Sequence, residues 1–217
     1  MNNLELIVTA DGSHSLLNKA LDEAYHSRHG ALQESLHVFI RNGFEYVLDS
    51  AKKQITIFEV GFGTGLNAWL TLDVARSRNA SIIYQAIETF PLPEAIWQSL
   101  RYTDDETFER LHQAPWETPI EITPAFTLTK FKQSLQQIQF KENQFDLIYY
   151  DAFAPQKQPD MWTGHLLAKV ATWLKPGGVL VTYCAKGQVK RDLQAAGLIV
   201  ETLQGPPGKR EMIRATR

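Results

Sequence analysis

Apolar positions along the chain switch between two periods, and the switches mark out alternating strands and helices. "QITIFEV" (54–60) reads as a buried strand running into a glycine turn, and "LNAWLTLDVARSR" (66–78) continues as a helix with Leu66, Trp69, Leu70 and Val74 at helical spacing. "SIIYQAIE" (81–88) is the next strand, followed by helical patterns over 93–113 that Pro115 and Pro119 break. "AFTLTKF" predicts a third strand, 131–138 a short helix, and "FDLIYYD" (145–151) a fourth strand. "MWTGHLLAKVATWL" (161–174) places Trp162, Leu166, Leu167, Val170 and Leu174 on one helical face and stops at "KPGG". Asp160, just before this helix, is expected to cap it. "VLVTYCA" is a fifth strand, "GQVKRDLQAAG" a helix, and "LIVETL" and "REMIRAT" are two last strands joined by "QGPPGK". The pattern predicts an α/β domain: a Rossmann-like, doubly wound, mostly parallel seven-stranded sheet closed by a C-terminal antiparallel hairpin.

The first fifty residues carry weaker periodicity. A turn is expected at Asp11-Gly12 and helical material from about Ala31, and Tyr25, His26, Ser27, Arg28 and His29 make a dense polar cluster. A solvated connection is the default reading of that cluster, with a lid or substrate loop as the alternative.

The glycine loop brings in chemistry. "EVGFGTGLN" sets Glu59, Gly61, Gly63, Thr64, Gly65 and Asn67 between the first strand and first helix. Glycines at alternate positions remove Cβ atoms where the chain turns, so a ligand can lie against bare backbone at the helix N-terminus. Glu88 ends the second strand, where a carboxylate can accept both hydroxyls of a ribose. The spacing departs from G-x-G-x-x-G, and Glu59 puts negative charge beside the loop, which opposes a pyrophosphate and suits a cation. An NAD-dependent dehydrogenase is disfavoured for both reasons. The pattern resembles motif I of class I methyltransferases, as "LKPGGVLV" and the terminal strand pair also do, which implies S-adenosylmethionine as cofactor.

Strand four ends at Asp151 and breaks into "AFAPQKQPDMW". The loop resembles those of amino-methyltransferases, where an acid at this edge holds an acceptor nitrogen. Positioning and charge neutralisation are the first expectation for Asp151, with a turn role as the alternative.

Composition narrows the setting. The chain has 217 residues, 44% hydrophobic and 21% charged, enough for one large domain. Cys184 is the single cysteine, so neither an internal disulfide nor a Cys-rich zinc site is expected. Neither a signal peptide nor a membrane-spanning run is evident, so a cytoplasmic protein is expected. Net charge is −2, but residues 186–217 carry seven basic and three acidic residues, a basic tail of +4 against −6 for the rest. That tail includes Lys186, Lys190, Arg191, Lys209 and Arg210.

"DAFAPQKQPDMW" and "GPPGKREM", with "YHSRHGALQESLHVFI", "FEVGFGTGLN", "ETFPL" and "LKPGG", are similar to the MnmC/MnmD methyltransferase domain. The resemblance covers nearly the whole chain. It implies methylation of the amine of 5-aminomethyl(-2-thio)uridine at the tRNA wobble position, with tRNA as partner, no metal, and Asp151 as the catalytic residue. It also places donor binding on Glu59, Gly61, Gly63, Thr64, Gly65, Asn67 and Glu88. Residues 51–217 would form the methyltransferase domain, with 1–50 an extension packing over the active site. The flavin-dependent oxidase fused to many relatives is not expected here. Phe153, Pro155 and Trp162 are candidates to contact the base, and Lys186, Lys209 and Arg210 to contact phosphates. Lys130 occupies the place where many such enzymes bind adenine, so no adenine-binding side chain is assigned. The alternatives are a small-molecule amine methyltransferase or aminopropyltransferase-like enzyme, and a non-catalytic nucleotide- or RNA-binding module.

Overall fold

The computed structural model describes residues 3–48 and 54–217. The expected boundary between residues 50 and 51 lies outside the described residues. The weakly periodic N-terminal part contains β1 (Leu4–Val8), β2 (His14–Asn18) and β3 (Glu23–Ala24), paired antiparallel in that order. Its first hairpin turns at the expected place, where Asp11 Oδ1 accepts from Ser13 N at 3.0 Å and from Thr9 Oγ1 at 2.7 Å. Leu16 on β2 is buried and packs with Trp97, Leu100 and Phe108, which ties the small sheet to the main body.

The helical stretch begins at the expected Ala31: α1 (Ala31–Ser35) passes through a π-helical segment, Leu36–Phe44, into α2 (Glu45–Leu48). This rod lies hard against the sheet. Phe39 meets Tyr149 at 5.2 Å between ring centroids, and a Cβ on Gly43 would come within 2.9 Å of Val181.

The remaining elements are β4 (Gln54–Val60), α3 (Leu66–Arg78), β5 (Ser81–Ile87), α4 (Glu94–Trp97), α5 (Glu106–Gln113), β6 (Ile120–Thr123) and β7 (Phe126–Phe131). They continue as β8 (Phe145–Tyr150), α6 (Gly164–Trp173), β9 (Leu174–Thr182), α7 (Gly187–Ala195), β10 (Ile199–Gln204) and β11 (Glu211–Thr216). The main sheet has the order β10-β11-β9-β8-β4-β5-β7-β6. Pairs among β4, β5, β7, β8 and β9 are parallel, and β9–β11, β10–β11 and β6–β7 are antiparallel. The doubly wound, mostly parallel sheet with its terminal hairpin is therefore as expected, the fold of class I methyltransferases. Among the described residues it has eight strands rather than seven. The extra one, β6, is a short edge strand just after Pro119, too brief to stand out from the turn residues around it.

Period-two alternation divides the core. Ile57, Leu147, Tyr149 and Val181 face one side of the sheet, while Phe58, Ile148, Tyr150 and Leu180 face the other. The helical patterns expected over 93–113 are α4 and α5, the latter capped by Asp105, whose side chain accepts from Thr107 N. Two local expectations need correcting. Residues 132–138 make a single turn, with Ser134 O accepting from Gln137 N and Ile138 N, because Leu135 and Ile138 anchor a loop rather than a helix face. Helix α6 is capped by Thr163, not Asp160, which sits one turn earlier in a 3-10 helix, Pro159–Trp162.

Candidate active site

The carboxyl ends of β4 and β8 lie side by side at the point where strand order reverses, the place where open α/β sheets bind ligands. A cavity of 760 Å³ opens there. Gly61, Gly63 and Gly65 all adopt left-handed backbone, with φ of 87°, 50° and 73°. Gly61 shows the steric reason most clearly: a Cβ on it would meet the Asp151 carbonyl oxygen at 2.6 Å. The glycine loop and the end of β8 are thus in direct backbone contact.

Glu88 is half-buried, and its carboxylate is aimed by two backbone donors, Gly63 N at 3.0 Å and Phe90 N at 2.9 Å. Burial raises its pKa, and the backbone bonds oppose that rise. Each oxygen accepts one of these bonds and keeps capacity for another at the cavity. Thr64 is buried, with its carbonyl accepting from His112 Nε2 at 3.0 Å and its hydroxyl 3.4 Å from His26 Nε2.

Three predicted residues form one row. Asn67 Nδ2 donates to Glu59 Oε1 at 3.0 Å and to Asp151 Oδ2 at 2.8 Å. Glu59 is fully buried, and desolvation, with the Asp151 charge second, holds its pKa well above the carboxylate range. Its Oε2, like Asn67 Oδ1, has no hydrogen-bond partner among the described residues. Asp151 is only half-buried and faces the cavity. Desolvation first and the Glu34 charge second push its pKa up to about 7, against the Asn67 bond and the Lys209 charge.

The loop after Asp151 is held from both sides. Phe153 lines the cavity and meets Tyr25 edge-on at 5.1 Å. Trp162 is not at the cavity: it is buried, and its Nε1 donates to Phe153 O at 2.8 Å, so it braces the loop from behind. Pro155 is in the following turn, also away from the cavity. Of the basic candidates, Lys209 lines the cavity, whereas Lys186 and Arg210 are exposed and do not. Lys190 is paired with Glu211 at 2.8 Å. Lys130 is buried under the loop, donating to His112 O at 2.6 Å with Trp116 at 4.7 Å, and burial lowers its pKa to about 8.

Periodicity missed Glu34 and Tyr183, which also line the cavity. It undervalued the polar cluster. Tyr25, His26, Ser27 and Arg28 all border the cavity, so this stretch is no solvated connection. Burial pushes His26 down to about 4, leaving it neutral, with Nδ1 3.1 Å from Ser15 Oγ. The density of polar side chains before Gly30 was the available signal.

A family model described as S-adenosyl-L-methionine-dependent methyltransferase matches residues 101–217. The chain belongs to that family. This methyltransferase is 30% identical over 214 residues to the tRNA 5-methylaminomethyl-2-thiouridine biosynthesis bifunctional protein MnmC of Pseudomonas fluorescens strain Pf0-1, covering 91% of this chain and 32% of that protein. Its identity to the protein of the same name from Ectopseudomonas mendocina is 28% over 215 residues, with coverage of 91% and 32%. The chain spans about a third of the length of these curated relatives. The crystal structure of MnmC2 from Aquifex aeolicus matches with a TM-score of 0.83 and 26% identity, covering 99% of this chain and 70% of that one. Spermidine synthase from Thermotoga maritima shares the fold, at a TM-score of 0.61 and 10% identity, with coverage of 98% and 68%.

S-adenosylmethionine is the cofactor of this methyltransferase, and the residues present fit it. The side chains of Glu88 and Asp151 face the cavity beside the glycine loop with carboxyl groups, acceptors suited to a cation that carries ribose hydroxyls, while Glu59 lies buried behind the loop. Among the described residues no group of three or more His, Cys, Asp or Glu is placed to hold a metal. No helix among them is long and apolar enough to cross a membrane.

Proposed function

We propose that this methyltransferase methylates the primary amine of 5-aminomethyl(-2-thio)uridine at the wobble position of tRNA, giving 5-methylaminomethyl(-2-thio)uridine. The observation that carries the reading is Asp151: a cavity-facing carboxylate at the carboxyl end of β8, against the glycine loop, with its pKa pushed up to about 7. The part that the MnmC relatives play in tRNA 5-methylaminomethyl-2-thiouridine biosynthesis supports this product.

When bound, S-adenosylmethionine supplies a methyl carbon made electrophilic by its sulfonium. The residues then divide the work. Glu88 accepts the ribose hydroxyls, and the bare backbone of Gly61, Gly63 and Gly65 allows close approach. Asn67 bonds Asp151 on one side and Glu59 on the other, fixing the Asp151 carboxylate toward the cavity. Asp151 holds the acceptor amine and takes its proton, because an ammonium has no lone pair to attack with. An alkylammonium normally has a pKa of ~10, about three units above Asp151. A second positive charge ~4 Å away at an effective dielectric of ~20 destabilises the ammonium by about 4 kcal/mol, which closes that gap. The same charge also lowers Asp151, so the carboxylate acts by positioning and neutralisation as much as by basicity. Phe153 offers a face for the flipped base, and the exposed Lys186 and Arg210 contact phosphates, whereas Lys209 is engaged by Glu34 at the cavity wall. The described residues of the N-terminal extension serve as a cap over this site.

The test is transfer of a labelled methyl group from S-adenosylmethionine to tRNA with and without the aminomethyl group, by wild type and Asp151→Ala. Incorporation only into aminomethylated tRNA, reduced about 10²–10⁴-fold in the variant, is expected. Methylation of free amines without tRNA transfer would sink the tRNA reading, and donor binding without any turnover would point to a binding module.

A further inference from the structure

Four separated stretches of chain meet on the Asp151 side of the cavity through one continuous set of contacts. Glu34, at 5% exposure, accepts from Ser27 N through Oε2 at 2.7 Å, and its Oε1 is paired with Lys209 Nζ. Lys209 comes from the loop of the terminal hairpin, and its ammonium lies 3.6 Å over the centre of the Tyr183 ring. The Tyr183 hydroxyl, from just beyond β9, donates to Ala152 O at 2.7 Å, one residue after Asp151. Ser27, Glu34, Ala152, Tyr183 and Lys209 all line the cavity with Asp151. The hairpin loop is seated tightly: Gly208, at φ 83°, lies so close to the His29 ring that a Cβ there would collide with it.

A buried carboxylate is costly unless it is paired and hydrogen-bonded, and Glu34 meets both conditions with partners from outside its helix. Nothing in the packing of α1 alone requires an acid there. The cation also sits on an aromatic face, which strengthens its hold on the ring.

We propose that Glu34 and Lys209 are positioning residues for methyl transfer: their ion pair, laid on Tyr183, latches the N-terminal segment to the terminal hairpin and holds the backbone that carries Asp151. The kinetic part rests on the methyl-transfer reading above. The latch also sets the charge around Asp151. Glu34 raises its proton affinity and Lys209 lowers it, while Glu59, Tyr84 and Tyr183 face it from β4, β5 and the end of β9. Arg28, Glu23 and Asp22 border the same cavity.

The experiment follows the Asp151 carboxyl by carbon-13 NMR titration, assigned with Asp151→Asn, in wild type, Glu34→Gln, Lys209→Met, the double variant and Lys209→Arg. Glu34→Gln is expected to move the titration to lower pH and Lys209→Met to higher pH, each by about 0.5–1 unit, with the double variant returning to wild type. In turnover, both single variants and the double variant lose about tenfold in kcat at unchanged donor affinity, and Lys209→Arg recovers most of it, since a guanidinium can keep both the pair and the ring contact. The double variant separates positioning from charge: its titration returns to that of wild type, so its loss of kcat comes from the missing latch. Shifts of the same sign, or none, would overturn the proposal, as would full turnover in the double variant. If wild type transfers no methyl to aminomethylated tRNA, the functional reading fails, and the titrations, which need no acceptor, still decide whether the pair acts on Asp151.

Discussion

On the glycine-loop side of the cavity, the lining groups come from two neighbouring strand–loop units, residues 60–67 and 87–91. Their bonds are short-range in the fold: Glu88 is aimed by the backbone of Gly63 and Phe90. The Asp151 side draws instead on residues 25–34, 151–153, 183 and 209, joined by side-chain bonds across most of the chain. The first side is a loop whose geometry is built in by residue type. The second exists only after the N-terminal segment and the terminal hairpin have both docked. A backbone-defined site tolerates change around it, whereas a site made of docked segments depends on every contact that seats them.

Gly61 is where the two sides touch, so its substitution tests the division most severely. Gly61→Ala puts a Cβ 2.6 Å from the Asp151 carbonyl at a φ of 87°, so donor affinity measured by calorimetry should fall at least ~10-fold, with a stability loss of about 1–3 kcal/mol. Unchanged binding would show that the loop and the β8 end are less tightly coupled than their contact implies. Glu88→Gln separates the sides. Donor Kd should weaken about tenfold, the effect of losing ~1.4 kcal/mol, while kcat at saturating donor stays within twofold. A fall in kcat of the same size would merge the two sides into one.

The Asp151 side has its own pH signature. With its pKa at about 7, the folded protein keeps a proton that the unfolded chain loses near ~4. The folded state therefore binds more protons in that interval, and stability falls as pH rises through it. Asp151→Asn should melt ~3–6 °C higher than wild type at pH 8, after discounting for the partial exposure of the group, and alike near pH 3. A melting difference that does not change with pH would refute the raised pKa. The smallest effect belongs to Trp162→Phe, which keeps the packing but removes the donor to Phe153 O. A loss of about 1 kcal/mol in stability, a two- to threefold higher KM for the acceptor and an unchanged donor Kd are expected. A weakened donor Kd would show that the loop brace reaches the glycine-loop side.

Legibility followed the same division. The parallel strands 54–60, 81–87 and 145–150 could be read because strands buried on both faces are continuous apolar runs, and the glycine loop because its residue types have few other uses. β6 escaped because a four-residue edge strand carries too little pattern. Residues 131–138 suggest a helix because Leu135 and Ile138 repeat at helical spacing, yet both anchor a loop. Trp162, a candidate to contact a base, lies behind the loop instead, since an aromatic there can face either way until the helix that follows is docked.

The doubly wound sheet, the glycine loop with its acid at Glu88, and the delivery of Asp151 to the end of a buried strand are legible along the chain. These rest on local residue types and on period, which need no partner from elsewhere in the chain. Folding in three dimensions turns Tyr25, His26 and Glu34 inward, brings Lys209 rather than Lys186 or Arg210 to the cavity, and lets Asn67 tie Glu59 to Asp151. Such contacts depend on where distant segments come to rest. Residue type along the chain does not carry that information, because the same polar side chain is equally suited to water until a buried partner is brought against it.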